Sequence, residues 1–378
     1  MFSFDLSFIK DTAKKKTLLH ECNKVHASEK VLEAKKYNDA IVLSSRGWTY
    51  DGKLLGGVVD SDGKYIRNSG YAEYGGRGYN IDGEDIVEKN ETVIFLGFFN
   101  PCWGHLITDS LSKLWYLQTP QCEKLIEGGA KIIYITQFNA DLPEYNKELF
   151  SYAGIEIEKF VHIKQVTKYK QVIVPDNSLY DSDGSIYYTR EFVNTIDQIK
   201  SGVQVDENSP KKIYYTRTAI KDVRERGREC DVERLFRKNG YAIISPEKHT
   251  VKQQIQFMMG CDKFAAAEGS VSHGTIFCKP RTEVAILRKV NYVNTYTPFI
   301  GQMSGLKTVY IDANHSTMAY RKIPTAGPFY VCVTSHLRRY LGENGIWIPF
   351  FFFFSYWKYF FSVPIIWLYK KIRTKMRL

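Results

Sequence analysis

The sequence has no paired cysteines, no glycine fingerprint for a nucleotide and no clean hydrophobic run for crossing a membrane. Its seven cysteines, Cys22, Cys102, Cys122, Cys230, Cys261, Cys278 and Cys332, are scattered without a C-x-x-C pair. An odd, unpatterned set fits a reducing compartment and argues against both a disulfide framework and a zinc site. Neither G-x-G-x-x-G nor G-x-x-x-x-G-K-[ST] occurs, which removes a dinucleotide fingerprint and a P-loop. Gly269-Ser270-Val271-Ser272-His273 does not fit the G-x-S-x-G nucleophile elbow of a serine hydrolase. No RNA- or DNA-binding motif accompanies the net charge of +11, so no nucleic acid is expected as a partner. The opening residues, MFSFDLSFIKDTAKKK, place charge after a short apolar piece, the reverse of a secretory leader, and a cytoplasmic location is expected.

A length of 378 residues favours two domains over one core. The charge is concentrated: residues 337–378 hold eight Lys and Arg against one acid, Glu343. Within them, WIPFFFFFSYWKYFFSVPIIWLY (347–369) carries thirteen aromatic residues. Lys358 at its middle, with Pro349 and Pro364 interrupting it, disfavours a spanning helix. An element lying in the membrane interface, with Trp and Tyr at headgroup level and basic flanks on anionic lipid, fits better. The expectation is a membrane-associating tail over 331–378, on the inner face of the cell membrane.

In the first half, the apolar runs at 40–43 and 54–59 suggest strands, and GYAEYGGRGY (70–79) reads as a loop. ETVIFLG (91–97) is a strong strand, followed by a helix expected over 103–117. On a helix, His105, Asp109, Ser112 and Tyr116 fall on one stripe opposite Leu106, Ile107, Leu111 and Leu114. A His/Asp pair at i, i+4 is ordinarily a solvated ion pair. Its place just after a buried strand, at the crevice end of a sheet, favours function. Strands KIIYIT (131–136) and QVIVP (171–175) follow, and polar DENSP (206–210) separates a domain over 1–205 from a second over 206–330.

From Lys211 strands and helices alternate strictly, which implies a parallel sheet with right-handed crossovers, Rossmann-like in kind. The stretch KFAAAEGSVSHGTIFCKP (263–280) reads as strand, tight turn and helix start, with Gly269, Ser270, Ser272 and His273 lining the crevice where a phosphate meets free N–H groups. Arg217 ends the first strand of this half, and its planar fork suits a phosphate. Lys221 is grouped with it, while Arg224, Arg226 and Arg228 alternate with acids and read as a solvated loop. The D-x-D triplets Asp60-Ser61-Asp62 and Asp181-Ser182-Asp183 are each followed by Gly, which marks turns; no metal and no cofactor are expected.

WGHLITDSLSKLW (103–115), with KIYYTRTAIKD and AAEGSVSHGTIFCKPRTEVAILRK between 212 and 289, resembles glycosyltransferase family 61 in its bacterial capsular-polysaccharide branch. The resemblance covers about residues 90–290. It implies a GT-B architecture of two Rossmann-like domains facing across a cleft, and an inverting, metal-independent transfer. It also implies an acceptor-side pair at His105 and Asp109, a donor-phosphate arginine at Arg217, and a donor loop at Gly269, Ser270 and His273. The implied partners are a nucleotide-sugar donor, a UDP-sugar first among them, a lipid-linked or oligosaccharide acceptor, and the membrane surface. The contrasting expectation is a non-catalytic glycan-binding member of a membrane polysaccharide assembly complex.

Overall fold

The computed structural model describes residues 3–50, 52–71, 75–220, 229–289, 293–314 and 331–343; Lys221 and the aromatic stretch at 347–369 lie outside the described residues. The chain forms two compact units, Lys24–Gln204 and a second made of the described residues up to Asn23 with those from Val205 onward.

The strand β1 (Ser3–Asp5) and the helix Thr12–Cys22 therefore belong with the second unit, which corrects the expected domain over 1–205. The cause is a parallel pairing of β1 with the strand at Lys307–Asp312, in register Ser3↔Lys307 to Asp5↔Val309. Phe8 then enters that unit's core, edge-on to Tyr340.

The unit Lys24–Gln204 holds β2 (Val25–Ala27), β3 (Ala34–Trp48), β4 (Leu54–Val59), β5 (Gly76–Arg77), β6 (Val87–Phe99), β7 (Lys131–Thr136), β8 (Val161–His162), β9 (Thr167–Pro175) and the hairpin β10 (Leu179–Ser182) with β11 (Ser185–Tyr188). Its main sheet runs β5-β4-β3-β9-β6-β7-β8, and β2 adds to the hairpin. β9, β6, β7 and β8 are parallel neighbours, whereas β3 runs antiparallel to β4 and to β9. The sheet is mixed and departs from the purely parallel, Rossmann-like arrangement expected. The short turn between β3 and β4 explains part of this, because a parallel pair needs a long crossover. Val93, Ile94 and Phe95 of β6, with Val172 and Ile173 of β9, are fully buried, as central strands covered on both faces should be.

The continuous helix expected over 103–117 is broken. A single helical turn, Trp103–Leu106, gives way to 3-10 turns at Asp109–Leu111 and Leu114–Gln118. Thr108 makes the break at φ −120°, ψ −84°, and its hydroxyl donates to the Gly104 carbonyl (2.8 Å) and to Asp109 Oδ2 (3.1 Å). Asp109, Ser112, Lys113 and Tyr116 are all buried, so the polar stripe is no solvated face.

The second unit adds β12 (Lys212–Tyr215), β13 (Ala242–Ile244), β14 (Lys263–Ala267), β15 (Glu283–Arg288) and β16 (Lys307–Asp312). Its six strands lie in the order β1-β16-β15-β14-β12-β13, and every pairing is parallel. Counted from β12, this is the doubly wound order 2-1-3-4-5, whose topological switch point falls between β12 and β14. Local chemistry agrees with the fold. Thr250 and Gln253 form a reciprocal capping box on the helix Val251–Gly260, and Gly240, at φ +79°, ends the helix Glu229–Lys238. Ala265, Ala267, Ala285 and Leu287 lie in the core with Val331, Val333, Leu337, Tyr340 and Leu341. Residues 331–343 are thus core-forming where a tail was expected to begin. The apolar face of the helix Ser335–Glu343 is the reason.

Candidate functional site

Within Lys24–Gln204, the site starts where β6 ends. Its pairing with β7 slips between Phe95 and Phe98 around Gly97, which takes φ +97°; such a bulge re-aims the chain. Asn100 then fixes the turn. Its N–H donates to Ser110 Oγ (2.9 Å), its side-chain amide donates to the Tyr71 hydroxyl (2.8 Å), and its Oδ1 accepts from the Cys102 N–H (2.7 Å). His105 emerges next, with Nδ1 2.9 Å from Asp109 Oδ2. The Asp109 side chain is 1% exposed and that of His105 25%. A buried carboxylate on Nδ1 holds the ring proton there and leaves Nε2 as the basic nitrogen. The pair has the geometry of a base with its orienting group, and the ring of Tyr71 packs against His105 at 5.6 Å.

Lys113, which the sequence reading did not single out, lines the same small cleft as Asp109, together with Tyr71, Gly97, Ser112 and Asn177. It is 2% exposed and its Nζ donates to the Pro175 carbonyl. Burial lowers its pKa to about 7; the neighbouring Asp176 opposes this and Lys30 adds to it. Gly97 lies against the Lys113 stem, where a Cβ would sit in ordinary contact at 3.5 Å from Cδ and Cε; it is the φ of +97° that calls for glycine there. Nothing in SLSKLW marks a buried lysine except its i+4 spacing from Asp109.

The consequence is a measurable pH dependence. Unfolded Lys113 titrates near the ordinary lysine pKa of about 10.4, so between about pH 7 and 10 the unfolded chain binds one proton more than the native one. Wild-type stability relative to Lys113→Met is expected to climb with pH across that window, by at most about 1.4 kcal/mol per pH unit. Denaturant titrations of both proteins from pH 6 to 10 check it; parallel curves would mean that Lys113 keeps its proton throughout.

In the second unit, Arg217 follows β12 and Gly269 follows β14, so the two stand at the carboxyl ends of the strands that flank the switch point. The Arg217 N–H donates to Glu229 Oε1 (3.3 Å), which also accepts from the Tyr214 hydroxyl (3.0 Å). Thr218 Oγ1 donates to Glu233 Oε2 (2.7 Å), anchoring the same loop. Gly269 adopts φ +130°, ψ −165°, a conformation that L side chains rarely reach, and a Cβ there would stand 3.6 Å from Lys289 Nζ. Gly269 and Ser270 are half-buried and reachable. Ser272 and His273 differ from the expected crevice lining. Ser272 Oγ turns back to the Gly269 carbonyl (2.8 Å), and His273, 4% exposed, packs against Tyr296 at 5.8 Å. Both side chains are buried in the four-residue turn Ser270–His273.

Beneath this turn lies an ion pair absent from the expected site. Glu268 Oε2 is 3.6 Å from Arg288 Nε, with both side chains almost fully buried. Burial raises the Glu268 pKa, while Arg288 and the Asn294 N–H, 3.3 Å from Oε1, act to lower it. Lys289 follows Arg288 at the same ends and brings its ammonium beside Gly269.

Residues 103–285 match the Glycosyltransferase 61 family model. They carry a glycosyltransferase family 61 domain, and the family implies glycosyltransferase activity. No curated protein matches the chain. The glycosyltransferase domain takes in His105, Asp109, Lys113, Arg217 and the Gly269 turn, whereas Trp48, Tyr71, Arg288 and Lys289 lie outside it. An enzyme of this activity binds a nucleotide-sugar donor and a glycan acceptor. Both D-x-D triplets occupy turns: Asp60 Oδ1 accepts the N–H groups of Asp62 (3.1 Å) and Lys64 (2.9 Å), and Asp183-Gly184, at φ +54° and +72°, turns the hairpin β10–β11.

Proposed function

We propose that the protein is an inverting glycosyltransferase that moves a sugar from a nucleoside-diphosphate sugar, a UDP-sugar first among them, to a hydroxyl of a lipid-linked glycan in surface polysaccharide biosynthesis. The observation that carries this reading is the His105–Asp109 pair inside a glycosyltransferase family 61 domain. His105 Nε2 takes the proton of the acceptor hydroxyl as its oxygen attacks the anomeric carbon. The bond to the diphosphate breaks on the opposite side, and Arg217 with the N–H groups at Gly269 and Ser270 meets the departing charge. In this reading the reaction needs no metal ion. A GT-B arrangement, the capsular branch and a cytoplasmic enzyme held at the inner face of the cell membrane by residues after 343 complete the reading, supported by the motif resemblance and the tail's composition.

Release of nucleoside diphosphate from a panel of UDP- and GDP-sugars tests it. A protein that binds glycan but releases nothing from any donor would be the non-catalytic assembly component instead. Arg217→Ala is expected to weaken nucleotide binding by roughly 2 to 4 kcal/mol, as for a charge-assisted bidentate contact, and Arg217→Lys to restore only part. Calorimetric titration with UDP and GDP measures this; unchanged affinity in the folded variant would remove Arg217 from the donor site.

A further inference from the structure

We propose that Trp48 is the platform on which a pyranose ring of the acceptor glycan stacks, presenting its hydroxyl to His105. The inference rests on the glycosyltransferase reading. An exposed aromatic residue alone needs no explanation. What marks Trp48 is its place in a row of rings that ends on the base. It closes β3, is 37% exposed, and meets the ring of Tyr71 edge to face at 6.0 Å and 81°. Tyr71 in turn contacts His105 at 5.6 Å and 65°. Tyr71 is 3% exposed and immobilised, its hydroxyl held by Asn100 and its ring packed edge-on to Phe98 at 6.1 Å. Trp48 is thus seated on a rigid support one ring away from the histidine, and a contact organised before binding costs less to form.

The chemistry fits a sugar. One face of a pyranose presents C–H groups with partial positive charge, which the negative face of an indole attracts. Its hydroxyls need polar partners at the edge, and Arg46, exposed two residues earlier on the same strand, pairs there with Glu84. The sugar is assigned to the acceptor because Trp48 shares a unit with His105, whereas Arg217 and Gly269 belong to the other unit. Trp48 also precedes the matched family domain, as suits a residue that sets the acceptor preference of one protein.

Transfer to a panel of octyl β-hexosides, used as soluble acceptors, tests the proposal. In Trp48→Ala the acceptor KM is expected to rise about tenfold or more, with kcat at saturation and the donor KM changed by less than about threefold. Trp48→Phe keeps an aromatic face and is expected to recover most of the loss. An unchanged acceptor KM in Trp48→Ala overturns the proposal. So does a fall in kcat that Trp48→Phe does not recover, which would make Trp48 only a support for His105. If the wild-type protein releases no nucleoside diphosphate from any donor, the functional reading fails. Saturation-transfer NMR of the same octyl glycosides then decides the point, with equal signals for wild type and Trp48→Ala overturning the platform as well.

Discussion

His105→Ala is expected to lower turnover by about 100-fold or more while donor affinity stays nearly intact. In the proposed reaction the two members of the pair have different tasks. The half-buried imidazole reaches the proton to be moved, and the buried Asp109 carboxylate holds Nδ1–H at 2.9 Å. Asp109→Asn should therefore cost as much as losing the histidine. An amide can turn its NH2 toward Nδ1, which places the ring proton on Nε2 and abolishes the base without changing the shape of the site. Steady-state kinetics on both variants, with donor affinity measured separately by titration, check the pair. Near-normal turnover in His105→Ala would hand the base role to another group, and a harmless Asp109→Asn would reduce the carboxylate to packing.

The second large effect is on stability. Arg288→Met removes the counter-charge 3.6 Å from the buried Glu268 carboxylate, and leaving a buried charge unpaired costs roughly 3 to 5 kcal/mol. The pH dependence has a definite sign. Without Arg288, the native pKa of Glu268 moves further above its unfolded value near 4.3, so above that pH the native state holds a proton that the unfolded state has lost. The deficit should be small near pH 4 and grow as the pH rises. Glu268→Gln placed on top of Arg288→Met is expected to recover much of the loss, since an amide carries no charge to strand. Denaturant midpoints at pH 4.5 and 7.5 for the single and double variants distinguish this from simple loss of arginine packing, which would be independent of pH.

What could be read in advance divides along physical lines. The strands KFAAA and EVAILR, the capping box at Thr250 and the glycine stop at Gly240 are local signals, and the structure has them where the sequence places them. The segment after Trp103 was misread for a reason that periodicity cannot detect. Its apolar residues do recur at helical spacing, but Thr108 breaks the helix, and the polar stripe is buried too, so the contrast between faces does not report exposure. His105 and Asp109 still meet, because their i, i+4 spacing survives that break. Lys113 and Arg288 were not legible in advance, because a lysine or arginine in sequence reads as solvated until tertiary packing removes the water. The mixed sheet of Lys24–Gln204 depends on which distant strands pair, and no local pattern encodes that β3 chooses β9.

The parallel pairing of β1 with β16 also dictates an order of assembly. β1 is synthesised before its partner strand, which is made only after the whole of Lys24–Gln204 has been synthesised between them. The early strand must wait through that interval, while the intervening unit, compact in its own right, is free to fold as the nascent chain lengthens. The second unit can complete its sheet edge only at the end, by recapturing Ser3–Asp5 across a closure of some three hundred residues. A bulky fusion placed directly before Ser3 would therefore burden the sheet of the second unit, most of which is made only after Lys24–Gln204.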